Sequence, residues 1–151
     1  MRRSVTTCTA VLMSAGVMVS SAAYACTRFV YHGANDEVIT ARSMDWKTDV
    51  GTNIWVFPRG LRRSGEAGPN SIQWTSKYGS VIASGYDIST TDGMNEAGLV
   101  ANVLWLVESS YPKYDGKMPG LSIAAWAQYV LDNFATVDEA VDALAKEPYT
   151  I

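Results

Sequence analysis

At 151 residues, the chain is long enough for one domain with its own core, since domains usually run to roughly 100 to 200 residues. Its composition, 48% hydrophobic and 18% charged, excludes a disordered or low-complexity protein. A net charge of −3 leaves no basic surplus for a nucleic-acid partner.

Residues 1–25 have the layout of a signal peptide. Arg2 and Arg3 supply a positive start, Ala10 to Val19 a mostly apolar stretch, and Ala23-Tyr24-Ala25 the small-x-small pattern that signal peptidase cuts after. The apolar stretch is too short to span a bilayer comfortably, so no membrane attachment is expected after cleavage. The expected divisions are therefore a leader at 1–25 and one domain at 26–151, exported to the periplasm or secreted. Cleavage removes two arginines and no acidic side chain, so 10 of the 12 basic residues remain against 15 acidic ones. It also removes Cys8, leaving Cys26 without an intramolecular disulfide partner. A lone thiol in an oxidising compartment calls for a chemical role.

From Cys26 the segment to Tyr31 partly alternates polar and apolar residues. Gly33-Ala34-Asn35-Asp36 supplies turn chemistry, and Glu37 to Ser43 is rich in β-branched residues, so a β-hairpin with the cysteine at its free end is expected. Further strands are expected at Asn53 to Pro58, Ile72 to Thr75, Val81 to Ser84 and Leu99 to Val107. Glycine-bearing segments at Arg59 to Asn70 and Asp92 to Gly98 separate them, giving a β-meander. After the loop Ser109 to Gly120, the spacing of Leu121, Ala124, Ala125, Tyr129 and Leu131 predicts a buried helix beginning near Ser122. A second helix follows, with Thr136 as N-cap, Glu139 three residues on, and Val137, Ala140, Val141 and Leu144 on one face. The tail Tyr149-Thr150-Ile151 resembles the opening of another strand. Strands followed by helices indicate an α+β fold.

A thiol of ordinary acidity is mostly protonated at neutral pH, so a nucleophilic cysteine needs a base and a positive field. His32, the sole histidine, lies about 20 Å along an extended strand from Cys26 and suits a surface role. Cleavage after Ala25 supplies another base: the α-amino group of Cys26 itself, whose ordinary pKa is about 7.7 to 8.0. Hairpin pairing returns Arg42 and Asp45 beside the strand carrying Cys26, where a guanidinium can favour thiolate and a carboxylate can orient the amine. A surface ion pair is the plainer reading of Arg42 and Asp45, and core packing that of Trp46 and Trp105. The leader–cysteine junction also fits a lipid-anchored, non-catalytic lipoprotein. Ala23 and Tyr24 depart from the aliphatic residues usual before a lipidated cysteine.

Four stretches together resemble the choloylglycine hydrolase family: Cys26-Thr27-Arg28-Phe29 after a leader, Arg42-Ser43-Met44-Asp45-Trp46, Asp92-Gly93-Met94-Asn95-Glu96-Ala97-Gly98-Leu99, and Asn102 to Trp105. This family of penicillin V acylases and bile salt hydrolases is one of N-terminal nucleophile hydrolases, and the tryptophan after the aspartate resembles its Gram-negative penicillin V acylase-like branch. The resemblance implies an αββα sandwich with only its N-terminal part present. It implies hydrolysis of a linear amide C–N bond through a thioester on Cys26, with no metal or cofactor. It places Arg42 and Asp45 beside the nucleophile, Trp46 against the acyl group of a small N-acyl amide, and Trp105 at an oxyanion or substrate contact on its strand. It also implies homotetramers at full length. Family members are roughly twice as long and add an asparagine and an arginine from a second half, so an inactive truncated remnant is the alternative.

Overall fold

The computed structural model describes residues 26–106 and 108–151. Residues 1–25, expected to be a leader, and Val107 lie outside the described residues. Strands β1 (Thr27–His32) and β2 (Val38–Ser43) form the expected antiparallel hairpin, with Thr27 opposite Ser43 and Arg28 opposite Arg42. The turn between them places Asn35 and Asp36 in the left-handed region, at φ 60° and 61°, a conformation that Asn and Asp tolerate better than most residues. His32 ends β1 opposite Val38 and is exposed.

A second sheet has the order β3-β6-β7-β8, all antiparallel, from β3 (Ile54–Phe57), β6 (Ser80–Gly85), β7 (Ser89–Asn95) and β8 (Val100–Asn102). Between β3 and β6 the chain makes a separate hairpin of β4 (Arg62–Ser64) and β5 (Gln73–Thr75). The meander is thus β6-β7-β8, and β4 forms inside the segment expected to be a connection.

Two expectations need correction. Asp92 to Asn95 belong to β7, and the turn is confined to the residues after Asn95, with Gly98 at φ 88°. Gly93 is required by close packing instead: a Cβ there would stand 2.7 Å from both Ile82 Cγ2 and Leu131 Cδ1. β8 stops at Asn102, so Trp105 lies beyond the strand expected to carry it. Val103 N still donates to Thr91 O at 2.8 Å, but its carbonyl is taken by the Arg42 side chain.

Helix α1 (Ile123–Asn133) starts at Ser122, whose hydroxyl accepts from Ala124 N at 3.2 Å. Helix α2 (Val137–Leu144) starts at Thr136, whose hydroxyl accepts from Glu139 N, also at 3.2 Å. The Glu139 carboxylate returns to Ala135 N, one residue earlier than a standard capping box. Of the expected apolar face of α2, Ala140 is buried and Leu144 packs on the core, while Val137 and Val141 are exposed. α1 lies on β7 and β8, and the core unites Ile82, Leu99, Ala101, Ala127, Val130 and Leu131. Burying this apolar area stabilises the helix–sheet contact at roughly 25 cal/mol per Å².

Strand alternation sends Ile82, Gly93 and Ala101 toward the helices. Ile54, Val56, Val81 and Met94 point to the opposite face, where all four are exposed. Asp92 is on that second face, and Arg42 reaches it from the β1–β2 hairpin. The helices and that hairpin therefore engage opposite sides of one sheet. The tail joins by isolated parallel bridges linking Ser71 to Gly120 and Gly120 to Thr150. Among the described residues no helix is long and apolar enough to cross a membrane.

Candidate active site

Cys26 immediately precedes β1, is half-buried, and is the free cysteine of the described residues. The register makes its neighbours specific. Directly opposed residues share a face, so Arg28 and Arg42 fall on one face of the hairpin, with Cys26 two residues before Arg28.

Arg42 is held firmly, its side chain being only 9% exposed. Its Nε lies 3.1 Å from Asp92 Oδ1, its Nη2 donates to the Val103 carbonyl, and its Nη1 is buried without a hydrogen-bond partner. Asn102 Nδ2 donates to the same Asp92 oxygen at 2.8 Å. Arg42 thus fastens the cysteine-bearing hairpin to β7 and to the residue after β8, with its Nη1 amino group uncommitted. Its ion-pair partner, Asp92, was read in the sequence as turn chemistry. The place of Asp92 at the start of the Asp92-to-Gly98 stretch is the available signal.

Asp45 approaches the head of β1 through an intermediary. Thr27 N donates to Ser43 Oγ at 3.3 Å, and Ser43 Oγ donates to Asp45 Oδ2 at 2.9 Å. Ser43 therefore couples the carboxylate to the backbone next to Cys26, a role that hairpin register alone could not show.

Trp46 and Trp105, far apart in sequence, meet edge-to-face with ring centroids 4.9 Å apart at 62°. Such pairs contribute about 0.5–1.5 kcal/mol beyond area burial. Both rings keep substantial exposure, and Trp46 borders an open cleft of about 380 Å³ that runs from Met44 to Thr52. The larger cavity, about 550 Å³, lies on the helix side of the sheet and is lined by none of Cys26, Arg42, Asp45, Trp46 or Trp105.

Asn95, within the motif, has a structural environment. It is buried, donates to the Leu131 and Phe134 carbonyls at the end of α1, and accepts from Ala97 N and Leu99 N. Among the described residues, no group of three or more His, Cys, Asp or Glu side chains is placed to hold a metal ion.

Comparison with known proteins identifies relatives of the chain as a whole. The penicillin V acylase of Pectobacterium atrosepticum is 57% identical over 159 aligned positions, which cover 99% of this chain and 42% of that enzyme. The structure of penicillin V acylase from Agrobacterium tumefaciens superposes with a TM-score of 0.80 at 83% identity, covering 82% of this chain and 39% of that one. A mutant conjugated bile acid hydrolase from Clostridium perfringens shares the fold, with a TM-score of 0.62 at 24% identity. The chain thus spans about two fifths of the length of these acylases. The structural neighbours place it in the N-terminal part of the N-terminal nucleophile hydrolase fold, the expected αββα class. Residues 26–149 match the profile described as linear amide C–N hydrolases, choloylglycine hydrolase family, and the chain belongs to that family.

Proposed function

We propose that this chain carries the nucleophile and its immediate partners for hydrolysis of a linear amide, in the manner of the penicillin V acylases it resembles, after export and removal of residues 1–25. The observation that carries the reading is the setting of Cys26. It stands at the head of β1, two residues before the Arg28 that is paired with Arg42, with Asp45 linked through Ser43 to the adjoining Thr27 N–H.

In this mechanism the neutral α-amine of Cys26 takes the thiol proton as sulfur attacks the amide carbonyl carbon. The carbonyl electrons move to oxygen, giving a tetrahedral intermediate. When the C–N bond breaks, the ammonium returns its proton to the departing nitrogen, leaving a thioester. Water, deprotonated by the same amine, then attacks the thioester carbonyl and releases the acid, and sulfur recovers its proton.

Arg42 contributes fixed positive charge on the face of the sulfur, and its orientation is held by Asp92 and the Val103 carbonyl. The Asp45 carboxylate favours and orients the amine that must accept the proton. Trp46 contacts the acyl group, and an N–H of Trp105, backbone or indole, is the candidate donor to the developing oxyanion. The substrate is a small N-acyl amide, and the aromatic pair favours an aryl or long apolar acyl group.

The test uses the complete gene product and a panel of acyl amides. Turnover is expected, and stoichiometric alkylation of the Cys26 thiol is expected to abolish it. Undiminished turnover after complete labelling would remove sulfur from the mechanism.

A further inference from the structure

The turn joining β6 to β7 is closed by Ile88 N donating to Gly85 O at 3.1 Å. Both of its central residues, Tyr86 and Asp87, have a φ of 54°. This left-handed pair is what a tight type I′ hairpin turn demands, and it usually falls to Asn or Gly because other side chains adopt it at a cost. Here the turn is held from outside. The Asp87 carboxylate accepts from Asn53 Nδ2 at 2.9 and 2.8 Å, from Ser84 Oγ at 2.8 Å and from Trp55 Nε1 at 3.2 Å. Tyr86 N donates to the Val50 carbonyl at 2.7 Å.

What this turn presents is the Tyr86 hydroxyl. It lies 3.0 Å from Trp46 Nε1 and 2.9 Å from Thr48 Oγ1. An indole N–H only donates, so the tyrosine oxygen accepts from Trp46, and its proton is free to go to Thr48. The 44–52 segment, which lines the cleft beside Trp46, is thereby tied to the turn at the Val50 carbonyl, the indole and the threonine hydroxyl. Trp46 is 37% exposed and meets the Trp105 ring edge-to-face, so the bond at Nε1 is a second, directional restraint on its ring plane.

We propose that Tyr86 is a positioning residue for acyl-group selectivity. By accepting the Trp46 N–H, it holds the indole edge-on to Trp105, so that the cleft wall offers a fixed aromatic surface to an aryl-terminated acyl group. A flexible alkyl chain adapts to either ring orientation and is indifferent to this bond. The inference rests on the reading of Trp46 as the acyl contact.

Its test compares phenylacetyl and hexanoyl amides of 4-nitroaniline in the complete gene product. Tyr86→Phe keeps the ring and deletes one oxygen. It is expected to raise KM for the phenylacetyl amide about three- to tenfold, the size of one lost hydrogen bond. kcat, and both constants for the hexanoyl amide, are expected to stay within about twofold. In a Trp46→Phe background, which lacks the indole N–H, Tyr86→Phe is expected to have no further effect on selectivity. If the wild type turns over both amides while Tyr86→Phe leaves them unchanged or weakens them equally, the positioning role is wrong and the hydrolase reading stands. A selectivity loss that persists in the Trp46→Phe background also overturns it. If the wild type hydrolyses neither, the hydrolase reading fails and this inference falls with it.

Discussion

Cys26→Ala, introduced with the leader cut still made before residue 26, is expected to abolish amide hydrolysis while leaving substrate binding largely intact. The variant keeps the α-amine, Arg42, Asp45 and both tryptophans, and lacks only the atom that forms the thioester. Loss of a covalent nucleophile typically costs roughly 10⁴- to 10⁶-fold in kcat, with little change in ground-state affinity. Cys26→Ser is expected to retain only a trace of activity, because a serine hydroxyl is far less acidic than a thiol and the α-amine is a weak base for it. Single-turnover kinetics and calorimetric titration of substrate into the alanine variant check this. An alanine variant within about tenfold of wild type would require a nucleophile other than sulfur.

Asp132→Ala is expected to be the most damaging substitution for stability outside the site. Asp132 is fully buried on the sheet-facing side of α1. It accepts from Trp74 Nε1 at 2.7 Å and from Gln128 Nε2 at 2.8 Å, and its Oδ2 is 3.2 Å from Arg63 Nε. Arg63 in turn lies 4.2 Å over the Phe57 ring. This network joins the β4–β5 hairpin to α1, beside the edge-to-face contact of Trp74 with Tyr129. Removing the carboxylate strands an indole N–H, an amide N–H and a guanidinium at once, a change in the range of about 3–5 kcal/mol. Denaturant unfolding of the complete gene product measures it. Arg63→Met with Asp132→Leu, which removes both charges, is expected to cost less than the single change.

The pH dependence at this site has a definite sign. Burial pushes the Asp132 carboxyl above its ordinary value, against the pull of the Trp74, Gln128 and Arg63 donors. A folded-state pKa above the unfolded one means the folded protein holds the proton more tightly. The stabilisation from Asp132 is therefore fullest below the ordinary carboxylate range and declines as pH rises through the folded value. Asp132→Asn, which cannot ionise, is expected to flatten that decline.

Local chemistry was legible wherever one segment contained it. The β1–β2 hairpin follows from turn residues between alternating runs, and the two helix starts follow from Ser122 and Thr136 with their caps. The motif stretches pointed to the family that the comparisons then showed. What was not legible depends on partners distant in sequence. β4 is Arg62-Arg63-Ser64, a polar triplet without strand pattern that pairs only because β5 lies beside it. Arg42 suggested thiolate stabilisation by register, but its closest commitments are Asp92 and the Val103 carbonyl, across the sheet. Glycine in Asp92-Gly93 suggested a turn, whereas Leu131 pressing on β7 is the reason no side chain fits there. Tyr86 carried no signal, since its importance lies in what its hydroxyl reaches.

The most direct test of the mechanism is the mass of the mature protein's N-terminal peptide, taken from the exported form. The predicted result is a peptide that begins at Cys26 with a free amine and an unmodified thiol. A peptide starting at another residue, or one carrying a lipid on sulfur or an acyl group on the amine, would leave the reaction without its proton acceptor and contradict the account.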